Sequence, residues 1–241
     1  MKWYIPREHG AWAMLIIPYW IGAAISGIEI VHVIFFIGLF SIYFAQAPLL
    51  TYIRNSKKTD VWPSFFTYVA IGALFTIPIM IVKPVIFFIC IAIFPLFMIN
   101  LIFAKLKKER WFINDVVAIL ALSSLLIISY RLTEQAIEWE AYLYLVINAV
   151  FFIGSVFHVK SLIREKNNKP FRFTSILYHF ITVVLAFTFN FIGVAIAYFT
   201  SLLKTLFVPK KYLEKPVQIG VVEIINSAIF FIFVVIGYFF W

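Results

Sequence analysis

Charged residues inside long apolar stretches are the first candidates for chemistry in this sequence. Arg7, Glu8 and His9 stand directly before one apolar run, and Glu223 lies about five residues inside another. A carboxylate in an apolar environment is costly unless it has a cationic or protonated partner, which Lys204 or Arg7 can supply. We therefore assign Arg7, Glu8, His9 and Glu223 to a candidate site.

A second candidate group follows the sixth apolar run. His158 precedes Lys160, and Arg164 stands one turn farther along. If the helix continues, His158 shares a face with Ser161 and Glu165 at helical spacing. Ammonium and guanidinium groups in such a position can bind an anionic headgroup or a diphosphate directly. The competing interpretation is that Lys160 only extends from the helix end to the lipid headgroups.

Motifs for metal binding and covalent catalysis are missing from the sequence. The four histidines lie in four segments without a local ligand spacing such as HxxxH. The sequence has no glycine-rich phosphate loop, no GxSxG motif and no carboxylate pair placed for acid/base work. We predict no metal site, with convergence of His9, His158 and His179 on a haem or metal as the minor alternative. Catalytic residues, cofactors and enzymatic status stay open.

The composition requires a membrane environment for the elements that carry these residues. The 241-residue chain is 64% hydrophobic and 13% charged, whereas soluble domains have roughly 25% charged residues. Apolar runs of about twenty residues are long enough to span a bilayer as helices. We place them at residues 11–27, 29–52, 63–82, 84–104, 114–130, 141–160, 173–188, 190–207 and 218–240. The predicted fold is all-α, a polytopic transmembrane bundle of about nine helices forming one integral membrane domain over residues 1–241, with eight helices as the alternative.

Basic residues are divided unevenly between the two sides of this predicted bundle. With the N-terminus inside, 18 of the 20 Lys and Arg residues fall on the cytoplasmic side, and only Lys83 and Arg131 fall outside. This asymmetry follows the positive-inside rule. We therefore predict a protein of the bacterial cytoplasmic membrane with a cytoplasmic N-terminus and an external C-terminus. The net charge of +9 then reflects topology, and no nucleic-acid partner is expected.

Polar residues within the predicted spans gather in the cytoplasmic half. The outer half holds chiefly His32 and Asn190. Because intramembrane polar groups usually face a protein interior or a water-filled cavity, we predict a basic cavity that opens to the cytoplasm. Its candidate ligand-binding residues are Arg7, Glu8, His9, Arg54, Asn55, His158, Lys160, Arg164 and Glu223.

Two segments of the sequence resemble a known family. Residues 6–12 (PREHGAW) and residues 159–165 (VKSLIRE) are similar to the YwiC-like family of bacterial membrane proteins. The similarity extends over the whole chain, and the first segment is specific. The resemblance implies no assigned activity.

A second resemblance is architectural. Nine helices with cytoplasmic loops after the second and sixth resemble the UbiA superfamily of intramembrane prenyltransferases, in which both loops are rich in aspartate that holds Mg²⁺ against a prenyl diphosphate. Here the first loop offers Asn55 and Asp60 beside Arg54, and the second offers Glu165 beside Arg164. Hard cations need clustered oxygen ligands. The resemblance therefore implies a degenerate protein that binds an anionic lipid or an isoprenoid diphosphate without Mg²⁺.

Two other functions fit the same features. A cationic funnel concentrates anions, which suits a transporter or channel for a small anion. Alternatively, the protein is a non-catalytic membrane assembly factor. The hypothesis of a degenerate UbiA-like protein differs from both, because it predicts one pocket formed by Arg7, His9, His158, Lys160 and Arg164. The oligomeric state is left open.

Overall fold

The fold is all-α in the part of the chain that the computed structural model describes, which is residues 2–6, 9–208 and 216–240 without the side chains of residues 9 and 10. The helices are α1 His9–Ser26, α2 Ile30–Arg54, α3 Trp62–Val82, α4 Pro84–Lys105, α5 Phe112–Ser123, α6 Leu125–Arg131, α7 Trp139–Ile163, α8 Lys169–Thr188, α9 Ile192–Phe207 and α10 Pro216–Phe240. Helices α5 and α6 form one segment of 20 residues, Phe112–Arg131. Within the described ranges there are thus nine helical segments, as predicted, and the eight-helix alternative is wrong.

Two short breaks between helices have local causes. Pro84 begins α4, and the preceding residue, Lys83, leaves the helical region at φ −124° and ψ 77°. A proline disfavours helical geometry in the residue before it. Asn190 separates α8 from α9 with φ 60°, a left-handed conformation that asparagine adopts more readily than most residues. These two residues explain why adjacent apolar runs become separate helices.

The helices identify an integral membrane protein. Seven helical segments in the described chain are long and apolar enough to cross a membrane: α2, α3, α4, α5 with α6, α7, α8 and α10. The shorter apolar helices Ala11–Ser26 and Ile192–Phe207 lie in α1 and α9. Helix α7 has the largest buried share of the seven, whereas α3 and α4 expose most of their apolar side chains. The chain therefore has a central helix, α7, and an outer pair, α3 and α4.

Glycines bring two pairs of helices into close approach. A Cβ atom on Gly237 of α10 would lie 2.8 Å from the Cα atom of Gly193 on α9. A Cβ atom on Gly38 of α2 would lie 2.7 Å from the Cγ2 atom of Thr76 on α3 and 2.9 Å from the carbonyl oxygen of Gly72. The contact between Gly193 and Gly237 fixes α9 against α10, and these two helices carry the charges described below.

The basic loops meet at one end of the bundle, which we call the basic end and define by residues 55–61, 106–111 and 164–168. Arg54 donates from Nε and Nη2 to the two carboxylate oxygens of Glu109 at 2.8 and 2.9 Å. The Tyr4 hydroxyl donates to Asp60 at 2.7 Å, and this hydrogen bond raises the pKa of Tyr4. Contacts at the opposite end include the hydrogen bond from Thr133 to the carbonyl oxygen of Ser26 at 3.1 Å.

Candidate functional site

Glu223 is the centre of a buried charge cluster between α7, α9 and α10. Its side chain is on α10, and the residue is 5% exposed. The Lys204 ammonium on α9 donates to Oε1 at 2.7 Å, and the Ser155 hydroxyl on α7 donates to Oε2. Of the two partners that the sequence suggested, Lys204 therefore pairs with Glu223, while Arg7 lies outside the described residues.

His158 is the fourth member of this cluster, which we call the Glu223 cluster: Ser155, His158, Lys204 and Glu223. His158 is 3% exposed, and its Nε2 atom lies 3.9 Å from Oε1 of Glu223. Neither ring nitrogen has a hydrogen-bond partner among the residues that the structure describes. The same carboxylate oxygen thus has one cation in contact and a second basic group one short movement away.

Helical spacing explains how three separate helices contribute to the cluster. Ser155 and His158 are three residues apart on α7 and therefore lie on one face. Lys204 stands one turn before the end of α9 at Phe207, and Glu223 lies about two turns inside α10. The cluster consequently sits within roughly two helical turns of the basic end.

A small cavity lies between α7, α8 and α9. It has a volume of about 10 Å³, and its walls include Gly154, Tyr178, His179 and Ser201. A space of this size is just sufficient for one water molecule. A Cβ atom on Gly154 would lie 3.2 Å from Nε2 of His179, so the glycine lets α8 approach α7 at this point. The wall of the cavity is therefore polar as well as tightly packed.

The polar groups next to the cluster have partners. The Nδ1 atom of His179 lies 2.7 Å from the carbonyl oxygen of Ser175. Asn226 donates to the Ser201 hydroxyl at 3.1 Å, which joins α10 to α9. Asn226 thus takes part in a hydrogen bond between helices, which is the ordinary role of asparagine in a membrane bundle.

Lys160 and Arg164 bind a different part of the protein. The Lys160 ammonium lies 2.5 Å from Oδ2 of Asp115 and donates to the carbonyl oxygen of Arg110 at 3.2 Å. Arg164 donates to the same carbonyl oxygen at 3.0 Å. Residues 158 and 160 are two positions apart, so their side chains leave the helix in nearly opposite directions. The predicted convergence of Lys160 and Arg164 with His158 in one pocket is therefore wrong.

The other predicted site residues lie away from the Glu223 cluster or outside the description. Arg54 is paired with Glu109. The side chain of Asn55 accepts a hydrogen bond from the backbone of Lys57 at 3.2 Å, which is a local loop contact. Arg7 and Glu8 are outside the described residues, and His9 begins α1 without a described side chain.

The sequence singled out His158 and Glu223 as site residues, but it did not single out Ser155. Ser155 was detectable, because it stands three residues before His158 on the same predicted helix. Lys204 was named only as one possible partner, since the packing of α9 on α10 brings it to Glu223. Across the described ranges, no three His, Cys, Asp or Glu side chains are grouped so that they could hold a metal ion.

Comparison with known proteins gives a consistent result. A family model described as YwiC-like protein matches residues 5–130. The "Uncharacterized protein YwiC" of Bacillus subtilis is 34% identical over 233 residues, which cover 95% of this chain and 96% of that protein. An "Uncharacterized protein" of Haemophilus influenzae is 26% identical over 238 residues, covering 98% of this chain and 99% of that protein. No solved structure matches the chain.

Proposed function

This chain belongs to the YwiC-like family, and we propose that it binds a phosphate-bearing anion at the Glu223 cluster, from the cytoplasmic side of the bacterial cytoplasmic membrane. The observation that carries the proposal is the buried ion pair between Lys204 and Glu223. A buried pair is weak evidence for stability, because well-packed apolar residues often replace it without loss. Ionisable residues within membrane segments usually mark a functional site.

The charges of the cluster favour an anion as the ligand. Lys204 and His158 supply two basic groups for one carboxylate, Glu223. Arg172, near the start of α8, also acts electrostatically on His158. An incoming phosphate group can therefore replace Glu223 as the partner of Lys204. Ammonium and imidazolium donors make strong, charge-assisted hydrogen bonds to phosphate oxygens.

The basic end supports the same ligand class. Exposed cations such as Lys57, Lys58 and Lys166 concentrate anions near the ends of α7, α9 and α10. The positive-inside rule favours the cytoplasm for this end of the bundle. This topology gives a cytoplasmic N-terminus and an external C-terminus.

Two sources of ligand share this chemistry: the headgroup of an anionic lipid and an isoprenoid diphosphate. The second source is the one that a degenerate UbiA-like protein would use. Our proposal is limited to binding and contains no prenyl-transfer step, because the loop residues Arg54 and Asp60 are already paired with Glu109 and Tyr4.

Native mass spectrometry of the detergent-purified protein tests the proposal. Phosphatidylglycerol, farnesyl diphosphate and inorganic phosphate would be offered separately, with phosphatidylcholine as the net-neutral control. We expect bound adducts with at least one of the three anions, and the adduct identifies the source. The double substitution Lys204→Met with Glu223→Gln should abolish the adduct without leaving an unpaired charge.

The matched control is Lys160→Met combined with Asp115→Asn, since this pair is also an ion pair between a lysine and a carboxylate near the basic end. The control variant should bind as the unaltered protein does. Equal loss in both double variants, or no adduct with any anion, would refute the proposal.

A second candidate function is transport of a small anion. It is favoured by the exposed cations of the basic end, such as Lys57, Lys58 and Lys166, which concentrate anions at one end of the bundle. Uptake of radiolabelled phosphate into proteoliposomes, above that of empty liposomes, would support transport, and binding without uptake would exclude it for that anion.

A further inference from the structure

We propose that anion binding at the Glu223 cluster is coupled to the uptake of one proton by His158, because Lys204 and His158 are alternative partners for the same oxygen of Glu223. This inference rests on the proposed function and adds its regulation. It predicts that the protein binds its anion more tightly as the pH falls.

One carboxylate oxygen of Glu223, Oε1, is in contact with a cation and has a second basic group nearby. Lys204 Nζ contacts Oε1 at 2.7 Å, and His158 Nε2 stands 3.9 Å from the same atom. Ser155 holds the other oxygen, Oε2. Because Ser155 does not depend on either cation, the carboxylate can keep its position while its partner at Oε1 changes.

His158 is in an unusual state for a buried imidazole. Both of its nitrogens are without a hydrogen-bond partner in the described part of the chain, although buried polar side chains nearly always have one. A movement of about 1 Å would bring Nε2 from 3.9 Å to the distance of a charge-assisted hydrogen bond. The present arrangement therefore omits a contact that protonated His158 would make.

The charge balance of the cluster connects this contact to ligand binding. With Lys204 and Glu223 as an ion pair, a neutral His158 leaves the cluster without net charge. If Lys204 turns to a ligand monoanion, Glu223 loses its cation inside an apolar bundle, which is costly. Protonation of His158 restores neutrality, since two cations then face two anions. The proton comes from the aqueous phase and forms the Nε2–H bond that donates to Oε1.

Other groups near His158 do not replace it in this role. On α8, His179 already pairs its Nδ1 atom with the Ser175 carbonyl oxygen at 2.7 Å. Arg172 on the same helix carries a guanidinium group, which is always protonated in proteins and cannot accept a further proton. On α5, Asp115 is paired with Lys160. The side chains of α1 that the structure describes, residues 11–26, are uncharged.

Isothermal titration calorimetry with short-chain phosphatidylglycerol tests the coupling. This lipid is chosen because its phosphodiester keeps a single negative charge throughout the pH range. Between about pH 6 and pH 8, the dissociation constant should rise roughly tenfold per pH unit where His158 is neutral in the free protein. Titrations in two buffers of different ionisation enthalpy should show about one proton taken up per lipid bound.

Two substitutions assign the proton. His158→Gln should bind more weakly and with a dissociation constant that does not depend on pH. His179→Gln, the matched control on α8, should keep the pH dependence. If the dependence disappears in His179→Gln and persists in His158→Gln, the assignment to His158 is overturned. The two-buffer titration uses the unaltered protein, so the test stands even if a variant fails to fold.

The outcomes separate this inference from the function on which it rests. Binding of phosphatidylglycerol without proton uptake and with a flat pH profile would overturn the coupling and leave anion binding in place. No binding of phosphatidylglycerol at any pH, together with no adduct of farnesyl diphosphate or phosphate, would overturn both.

Discussion

Two buried histidines at opposite ends of the bundle have contrasting surroundings. His32 is 0% exposed; its Nδ1 atom accepts from the backbone of Glu29 at 3.0 Å, and its Nε2 atom lies 3.1 Å from the Ser129 carbonyl oxygen. His158 is 3% exposed, yet both of its nitrogens lack partners within the described residues. Residue type and burial are the same, so the difference lies in the hydrogen bonds.

The contrast between His32 and His158 shows which buried polar groups have a structural role. His32 closes a capping box with Glu29 at the start of α2, and its carbonyl oxygen accepts from the Tyr19 hydroxyl at 2.7 Å. Its ring therefore fixes α2 against α6. His158 fixes nothing through its ring and faces the carboxylate of Glu223. A buried group without a structural task, beside an ionised partner, is the better candidate for function.

The largest expected effect comes from removing one charge of the cluster. Lys204→Met leaves Glu223 buried with Ser155 and with His158 as its remaining basic neighbour. At high pH we expect a loss of about 3–5 kcal/mol in the free energy of unfolding, and a smaller loss as the pH falls and His158 takes up a proton. Lys204→Met combined with Glu223→Gln should recover most of that loss. Chemical unfolding in detergent micelles measures both variants. Equal stability of the single and double variants would show that Glu223 does not depend on Lys204.

The direct test of the comparison replaces each histidine by leucine. His32→Leu removes the hydrogen bonds of the ring to the Glu29 amide and the Ser129 carbonyl oxygen. The Ser129 oxygen keeps the Leu132 amide as a donor. Each lost hydrogen bond contributes about 0.5–1.5 kcal/mol, so we expect a total loss of about 1–3 kcal/mol. His158→Leu removes no described hydrogen bond, so its loss should stay below about 1 kcal/mol. The midpoint of unfolding in the same detergent measures both. Similar losses would mean that His158 also has a structural task.

The sequence predicted the arrangement of the helices better than the partners within the site. Apolar run length was sufficient for nine helical segments, including the short breaks at Lys83 and Asn190. The need of Glu223 for a cation followed from the cost of a buried carboxylate. The choice of Lys204 depends on how α9 packs on α10, which no local spacing encodes. The error over Lys160 was avoidable, because residues two positions apart on a helix do not face the same way.

A smaller effect on stability tests how α9 and α10 position the cluster. Gly237→Ala places a Cβ atom 2.8 Å from the Gly193 Cα atom, and overpacking of this kind costs about 1–3 kcal/mol. The displaced helices should also weaken anion binding, because Lys204 and Glu223 lie on α9 and α10. Unfolding and lipid titration together measure the two effects.

Gly38→Ala is the control for that experiment. It creates a similar clash between α2 and α3, 2.7 Å from Thr76, and should cost similar stability. Because α2 and α3 carry no member of the Glu223 cluster, anion binding should not change. Weaker binding in both variants would indicate that general loosening of the bundle, rather than the position of α9 on α10, controls the site.

The smallest expected effect on stability tests whether burial, or location at the basic end, makes a charged residue essential. Arg54 and Glu109 form a bidentate pair whose side chains are 48% and 31% exposed. Exposed pairs contribute about 0–1 kcal/mol, so Arg54→Gln should change the free energy of unfolding by less than about 1 kcal/mol. Raising the salt concentration should reduce even this difference. A loss as large as that of Lys204→Met would mean that location at the basic end, and not burial, makes a charge essential. A small, salt-sensitive loss would leave burial as the property that distinguishes the Glu223 cluster.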